Sequence, residues 1–210
     1  MAAEYETIAG RVDSEIEISR SRFIARLERV DSEEAARVVI AAARAEHPRA
    51  GHHCSAFVLG PDGRVRRSND DGEPSGTAGA PMLDALVSAG LSDAVAVVTR
   101  YFGGVLLGAG GLTRAYRAAV AEAVLQARRV RRGLRTEVVV RASYEVAPQL
   151  EAEARRRGYT VGAADYGEAV LQRFAVAGEE VAALIALAAE LSAGAAEAVV
   201  GEARFVDLVE

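Results

Sequence analysis

DAVAVVTRYFGGVLLGAGGLTRAYRAAVAE, residues 93–122, reads as a buried strand, a glycine-rich turn and an amphipathic helix in succession. Val95, Val97 and Val98 form the short apolar run of a strand covered on both faces. Gly103, Gly104, Gly108, Gly110 and Gly111 then free the backbone to turn tightly or to approach another group closely. Leu112, Ala115, Ala119, Val120, Ala123, Val124 and Ala127 recur at helical spacing and predict a core-facing stripe.

No Asp or Glu falls between Asp93 and Glu122, whereas Arg100, Arg114 and Arg117 do. A helix start has unpaired N–H groups and a partial positive charge. Two readings of the turn follow. Glycines ahead of a helix start, with arginines nearby, make a cradle for phosphate or another oxyanion; equally, they permit a tight strand-to-helix connection and nothing more. Two phosphate motifs are excluded. Ala109 stands where a P-loop needs Lys, and Gly108 and Gly110 are followed by Thr113 where a dinucleotide fingerprint needs Gly.

Working outward, the 210-residue chain is long enough for one large or two small domains, and 50% of it is hydrophobic. All 25 basic residues are Arg, which excludes a catalytic Lys. The single Cys54 excludes an intrachain disulfide and fits a reducing compartment. Early acids and the lack of an apolar segment at the N-terminus argue against a secretory signal. No apolar run is long enough to span a bilayer. A cytoplasmic location is expected. Residues 1–133 hold 18 Arg against 17 acids, net +1, and residues 134–210 hold 7 against 13, net −6. Neither part is the strongly basic body of a general nucleic-acid binder, which leaves local Arg patches on the first part.

Residues 4–18 alternate loosely and supply one or two strands, and residues 23–30 (FIARLERV) another. DSEE at residues 31–34 starts a helix that Pro48 stops. His52, His53 and Cys54 open the strand CSAFVLG, and Pro61-Asp62-Gly63 signals a hairpin turn. Zinc ligation and a Cys–His nucleophile are the two chemistries open to this segment. The spacing suits no familiar zinc site, and His53 and Cys54 point to opposite faces of a strand, which leaves His52 to serve the thiol; a buried thiol beside a polar strand end is the expectation. SNDDGEPSGTAGAP, residues 68–81, has no helical or strand period and is a loop. Thr77 is expected to cap the following helix, with Pro81 in its first turn. Asp70, Asp71 and Glu73 in this loop suit Mg²⁺ binding or general-base work, although a solvated turn is the commoner fate of DDG.

The long helix is expected to run to the RRVRRG segment, residues 128–133, with Gly133 just past its end. These arginines complement the helix dipole, or alternatively face RNA. From Leu134 the composition changes, which places a boundary between residues 1–133 and 134–210. The second part reads strand, helix, hairpin, helix, strand, the βαββαβ order of a ferredoxin-like module.

HHCSAFVLG, then SNDDGEPSGTAGAPML, then VVTRYFGGVLLGAGGLTRAY, in that order, resemble the IMPACT/YigZ family. The likeness covers most of residues 20–130, and the second part is similar to the C-terminal domain of the bacterial members. The resemblance implies an α+β protein. Its first domain would have the left-handed βαβ fold of a small-subunit ribosomal protein and of domain IV of elongation factor G. Its second would be ferredoxin-like, as in domain V of that factor. Eukaryotic relatives regulate translation, and for a bacterial member the resemblance implies contact with RNA or the ribosome as an expectation. The motif positions Gly103, Gly104, Gly108, Gly110, Gly111, Arg100, Asp70, Asp71, Glu73, His53 and Cys54 carry over, with no catalytic role attached to any.

Three functional expectations follow. The first is a non-enzymatic translation-associated factor that needs no cofactor and meets RNA or the ribosome through the glycine turn, Arg100, Arg114 and Arg117. The second is a Mg²⁺-dependent enzyme on a small phosphorylated substrate, with Asp70, Asp71 and Glu73 holding the metal. The third is a protein-binding module using the sheet of the second domain.

Overall fold

The computed structural model describes residues 4–208. The chain divides into two compact units, Met1–Arg131 and Arg132–Glu210.

The first unit is built on a sheet in which β6 (Ala94–Tyr101) is the middle strand. Around it the order is β2 (Val12–Ile18), β3 (Ser21–Arg29), β6, β4 (His52–Leu59), β5 (Val65–Asn69), and every neighbouring pair is antiparallel. β1 (Glu4–Ile8) lies outside this sheet and is held by a hydrogen bond from Ser92 N to Glu6 O. The valine run of β6 is apolar throughout because both of its faces are covered. Val95 and Val97 pack with Val39 and Ala43 of α1 (Glu33–Glu46). Ala94, Ala96 and Val98 pack on the opposite side with Met82 and Leu86 of α2 (Gly79–Ser88) and with Ala115, Tyr116 and Ala119 of α3 (Gly108–Gln126). Full burial of one such valine is worth about 1.5–3 kcal/mol, so this strand anchors the unit. The small residues of α3 let it lie close on β3 and β2.

α3 is shorter than its arginine-rich tail suggests. It stops at Gln126, and residues Arg129–Ala142 form one long strand, β7, so Gly133 is a strand residue and no helix cap. The reason is pairing across strands. Arg129 Nη1 lies 2.7 Å from a carboxylate oxygen of Glu6, and Arg132 Nε lies 3.2 Å from one of Asp207. Partners so distant in sequence leave no local signal. The helix-dipole reading of residues 128–132 gives way to this strand.

The second unit contains most of β7, then α4 (Ala147–Arg156), β8 (Thr160–Tyr166), β9 (Val170–Val176), α5 (Val181–Leu191) and β10 (Glu197–Asp207). Four of the five strands of its sheet run in the order β10-β7-β9-β8 with every neighbouring pair antiparallel, the order of a ferredoxin-like βαββαβ unit, and the fifth, β1, neighbours β7. Val138, Val140, Phe174, Leu150 and Leu184 form its core, with both helices on one face. The molecule is thus α+β, with two antiparallel sheets and five α-helices among the described residues. Among the described residues no helix is long and apolar enough to cross a membrane.

Candidate functional site

The glycine turn joins β6 to α3 and is held against the β2–β3 hairpin. Gly103 N donates to Ser21 Oγ at 3.2 Å. A Cβ on Gly103 would lie 2.0 Å from the Arg20 carbonyl oxygen, so only glycine allows this approach. Gly104 and Gly108 have φ of +84° and +67°, and Gly108 opens α3. Gly111 is buried and packs on Leu107.

The entrance of α3 is bare. Leu107 occupies the N-cap with no side-chain hydrogen bond, and the first turn has no acid. The amides of Gly108, Ala109 and Gly110 are first-turn groups without intrahelical acceptors. Among the described residues no acceptor outside the helix meets them. The other two helices of this unit are capped. Ser32 Oγ accepts from Ala35 N at the start of α1. Asp70 Oδ1 accepts from Ala78 N at 3.0 Å and Gly79 N at 2.8 Å at the start of α2. The cap of α2 is therefore Asp70, and not Thr77, whose hydroxyl donates to the Pro74 carbonyl.

The three loop carboxylates serve three different ends. Asp70 also accepts from Gly76 N at 2.9 Å; burial raises its pKa, but the three amide donors together hold it below the ordinary carboxylate value. Asp71 Oδ1 accepts from Arg44 Nη2 at 2.8 Å and Oδ2 from His53 N at 2.7 Å. These partners likewise outweigh burial and lower its pKa. Glu73 is buried, and its Oε1 accepts from Arg100 Nη1 and from the Tyr116 hydroxyl, each at 2.7 Å. Among the described residues no group of three or more His, Cys, Asp or Glu side chains is placed to hold a metal ion.

Arg100 therefore does not stand free beside the turn. It is 6% exposed, pairs with Glu73, and lies between the rings of Phe23 and Phe102, with its guanidinium carbon 5.5 Å from each ring centre. The turn lacks acids along the chain but not in space, because Glu73 arrives from a loop 27 residues earlier. Arg117 is exposed on α3 and its Nη2 lies 3.4 Å from Ser88 Oγ, turned towards α2. Arg114 does stand at the entrance: a Cβ on Gly110 would lie 3.5 Å from its Nη1. Arg20, at the hairpin tip behind Gly103, is also exposed. Neither Arg20 nor Arg114 forms an ion pair among the described residues, whereas Arg11, Arg22, Arg26, Arg37, Arg44 and Arg64 all do.

A cleft of about 490 Å³ opens between the loop and the turn, lined by His52, Glu73, Pro74, Arg100, Phe102, residues 106–109 and Leu112. His52 Nδ1 lies 2.8 Å from the Asp71 carbonyl oxygen, which can only accept, so this nitrogen carries the proton. His52 Nε2 sits 4.0 Å from Glu73 Oε1. His53 lies outside the cleft, buried, with Nε2 3.1 Å from the His47 carbonyl oxygen. Cys54 is buried and donates to the Asp70 carbonyl, and burial pushes its thiol up to about 12. It is a packing thiol and no nucleophile at neutral pH.

Ser21, His52, Phe102 and Tyr116 join the site without having been singled out for it. Tyr116 had a signal: it is the one large polar-tipped residue on a helix face otherwise made of Ala, Val and Leu. Ser21 had none, since its role depends on the turn folding back over it.

Comparison with known proteins bears on the whole chain. The family described as "Impact N-terminal domain" matches residues 19–124, and "Domain of unknown function (DUF1949)" matches residues 140–195. The chain is 39% identical to "IMPACT family member YvyE" of Bacillus subtilis over 207 residues, 99% of this chain and 95% of that protein. It is 41% identical to "IMPACT family member YigZ" of Escherichia coli over 180 residues, 85% of this chain and 88% of that one. A solved structure described as "Crystal structure of an hypothetical protein" matches with a TM-score of 0.66 at 38% identity, covering 95% of this chain and 98% of its own.

Proposed function

The chain belongs to the IMPACT family, and from that premise we propose that it is a cytoplasmic, translation-associated factor that grips the phosphate backbone of RNA at the entrance of α3. The observation that carries this is the uncapped first turn, Gly108 to Gly110, with the unpaired guanidinium of Arg114 beside it. A helix start of this kind favours negative charge through both its amides and its dipole. Arg20 at the neighbouring hairpin adds a second cation free to meet a phosphate. Arg100 supports the turn from beneath, with its charge balanced by Glu73.

The reading makes binding salt-dependent and weakly selective for sequence. Fluorescence anisotropy of a labelled single-stranded RNA, titrated at several salt concentrations, tests it. The double variant Arg20→Ala/Arg114→Ala is expected to bind more weakly and to lower the salt slope by about two, one for each lost phosphate contact. Coincident curves for wild type and variant at every salt concentration would remove the proposal.

A second reading concerns the second unit. The face of its sheet opposite the helices exposes Val199, which pairs with Val139, and Leu171, which pairs with Arg141. This suits a protein partner. A Val199→Glu variant that still retains every partner in a pull-down would exclude that face.

A further inference from the structure

We infer that the cleft beside the α3 entrance is a subsite for one unpaired nucleotide, so that the RNA taken by this site is single-stranded; the inference rests on the phosphate reading above. The cleft is concave, about 490 Å³, and directly adjoins the free amides of Gly108 and Ala109. That volume lies in the ordinary range for small-ligand sites. A phosphate seated on those amides brings its own base to the cleft mouth.

The walls suit a flat apolar ring. Phe102 is 58% exposed despite its size, and the Arg100 guanidinium lies over the ring, 5.5 Å from its centre. Leu106, 89% exposed, lines the same cleft, as do Leu107, Leu112 and Pro74. An exposed aromatic ring next to a phosphate site is the arrangement that stacks an unpaired base.

The floor carries the polar groups of the cleft, His52, Glu73 and Arg100. Arg100 Nε is buried without a hydrogen-bond partner, and His52 Nε2 lies 4.0 Å from Glu73 Oε1. In an A-form duplex a base is paired and stacked and cannot enter.

The test measures anisotropy of one labelled RNA as a single strand and as a blunt duplex, with wild type, Phe102→Ala and Leu106→Ala. Both substituted residues are exposed, and circular dichroism confirms that the variants fold. The expected result is single-strand binding about tenfold tighter than duplex binding, with that advantage lost in Phe102→Ala and reduced in Leu106→Ala while duplex affinity stays unchanged. Equal affinity for both strand forms, unchanged in either variant, overturns the nucleotide subsite and leaves the phosphate reading standing. Binding of neither form at low salt removes the phosphate reading itself and this inference with it.

Discussion

Glu73→Ala is the most informative perturbation of the cleft, because it removes the one carboxylate on which the floor converges. Glu73 Oε1 receives Arg100 Nη1 and the Tyr116 hydroxyl at 2.7 Å each, and all three side chains are buried. Removing one partner of a buried ion pair costs about 3–5 kcal/mol, since the other charge is left uncompensated in a poor solvent. Loss of the Tyr116 hydrogen bond adds about 1 kcal/mol. For a protein of this size each kcal/mol lowers the melting temperature by roughly 2–4 °C, so a fall on the order of 10 °C is expected. Two units need not unfold together, so circular dichroism should be joined by hydrogen exchange at the β6 amides, which report on the first unit. The control is Glu73→Gln/Arg100→Met, which removes both charges and should recover much of the loss. If Glu73→Ala changes the stability of β6 by less than about 1 kcal/mol, the ion pair does not hold the floor as argued.

Asp70→Asn keeps an acceptor for the α2 amides but removes the charge and sets an NH₂ against Gly76 N, so it should destabilise the α2 entrance by about 0.3–1 kcal/mol at neutral pH. The folded-state pKa of Asp70 is depressed, so its contribution is present above the unfolded value and lost as pH falls through the folded one. Denaturation curves of wild type and Asp70→Asn should therefore converge in acid, and a difference that persists there contradicts the capping role. Cys54, with its thiol raised to about 12, should resist a thiol reagent at pH 8 in the folded protein and react on unfolding; rapid labelling of the native chain would contradict its burial. Gly103→Ala should cost about 1–3 kcal/mol or more, because its Cβ would lie 2.0 Å from the Arg20 carbonyl oxygen, and unchanged denaturant midpoints would show that the turn relaxes freely.

What was legible in the sequence was local. The β6–turn–α3 unit could be read because valines, glycines and alanines follow one another at strand, turn and helix spacing. The βαββαβ order of the second unit was readable for the same reason. What escaped depends on residues that meet only after folding. The absence of acids between residues 93 and 122 suggested a free Arg100, but Glu73 from the preceding loop neutralises it. Arginines 129–132 looked like a helix end because their partners Glu6 and Asp207 lie far away along the chain. Thr77 was the obvious cap by position, yet Asp70 reaches the α2 amides from eight and nine residues back. Of the arginines expected at the turn, Arg114 alone flanks the bare amides, and the β2–β3 hairpin brings the Arg20 backbone against Gly103.

The central claim is that the amides opening α3 receive phosphate. Amide chemical shifts of the ¹⁵N-labelled full chain, followed while single-stranded RNA is added at low salt, test it most directly. The account predicts that Gly108, Ala109 and Gly110 move first and furthest and that Arg114→Ala diminishes the change. Shifts confined to other surfaces, with these three amides unmoved at saturation, would contradict it.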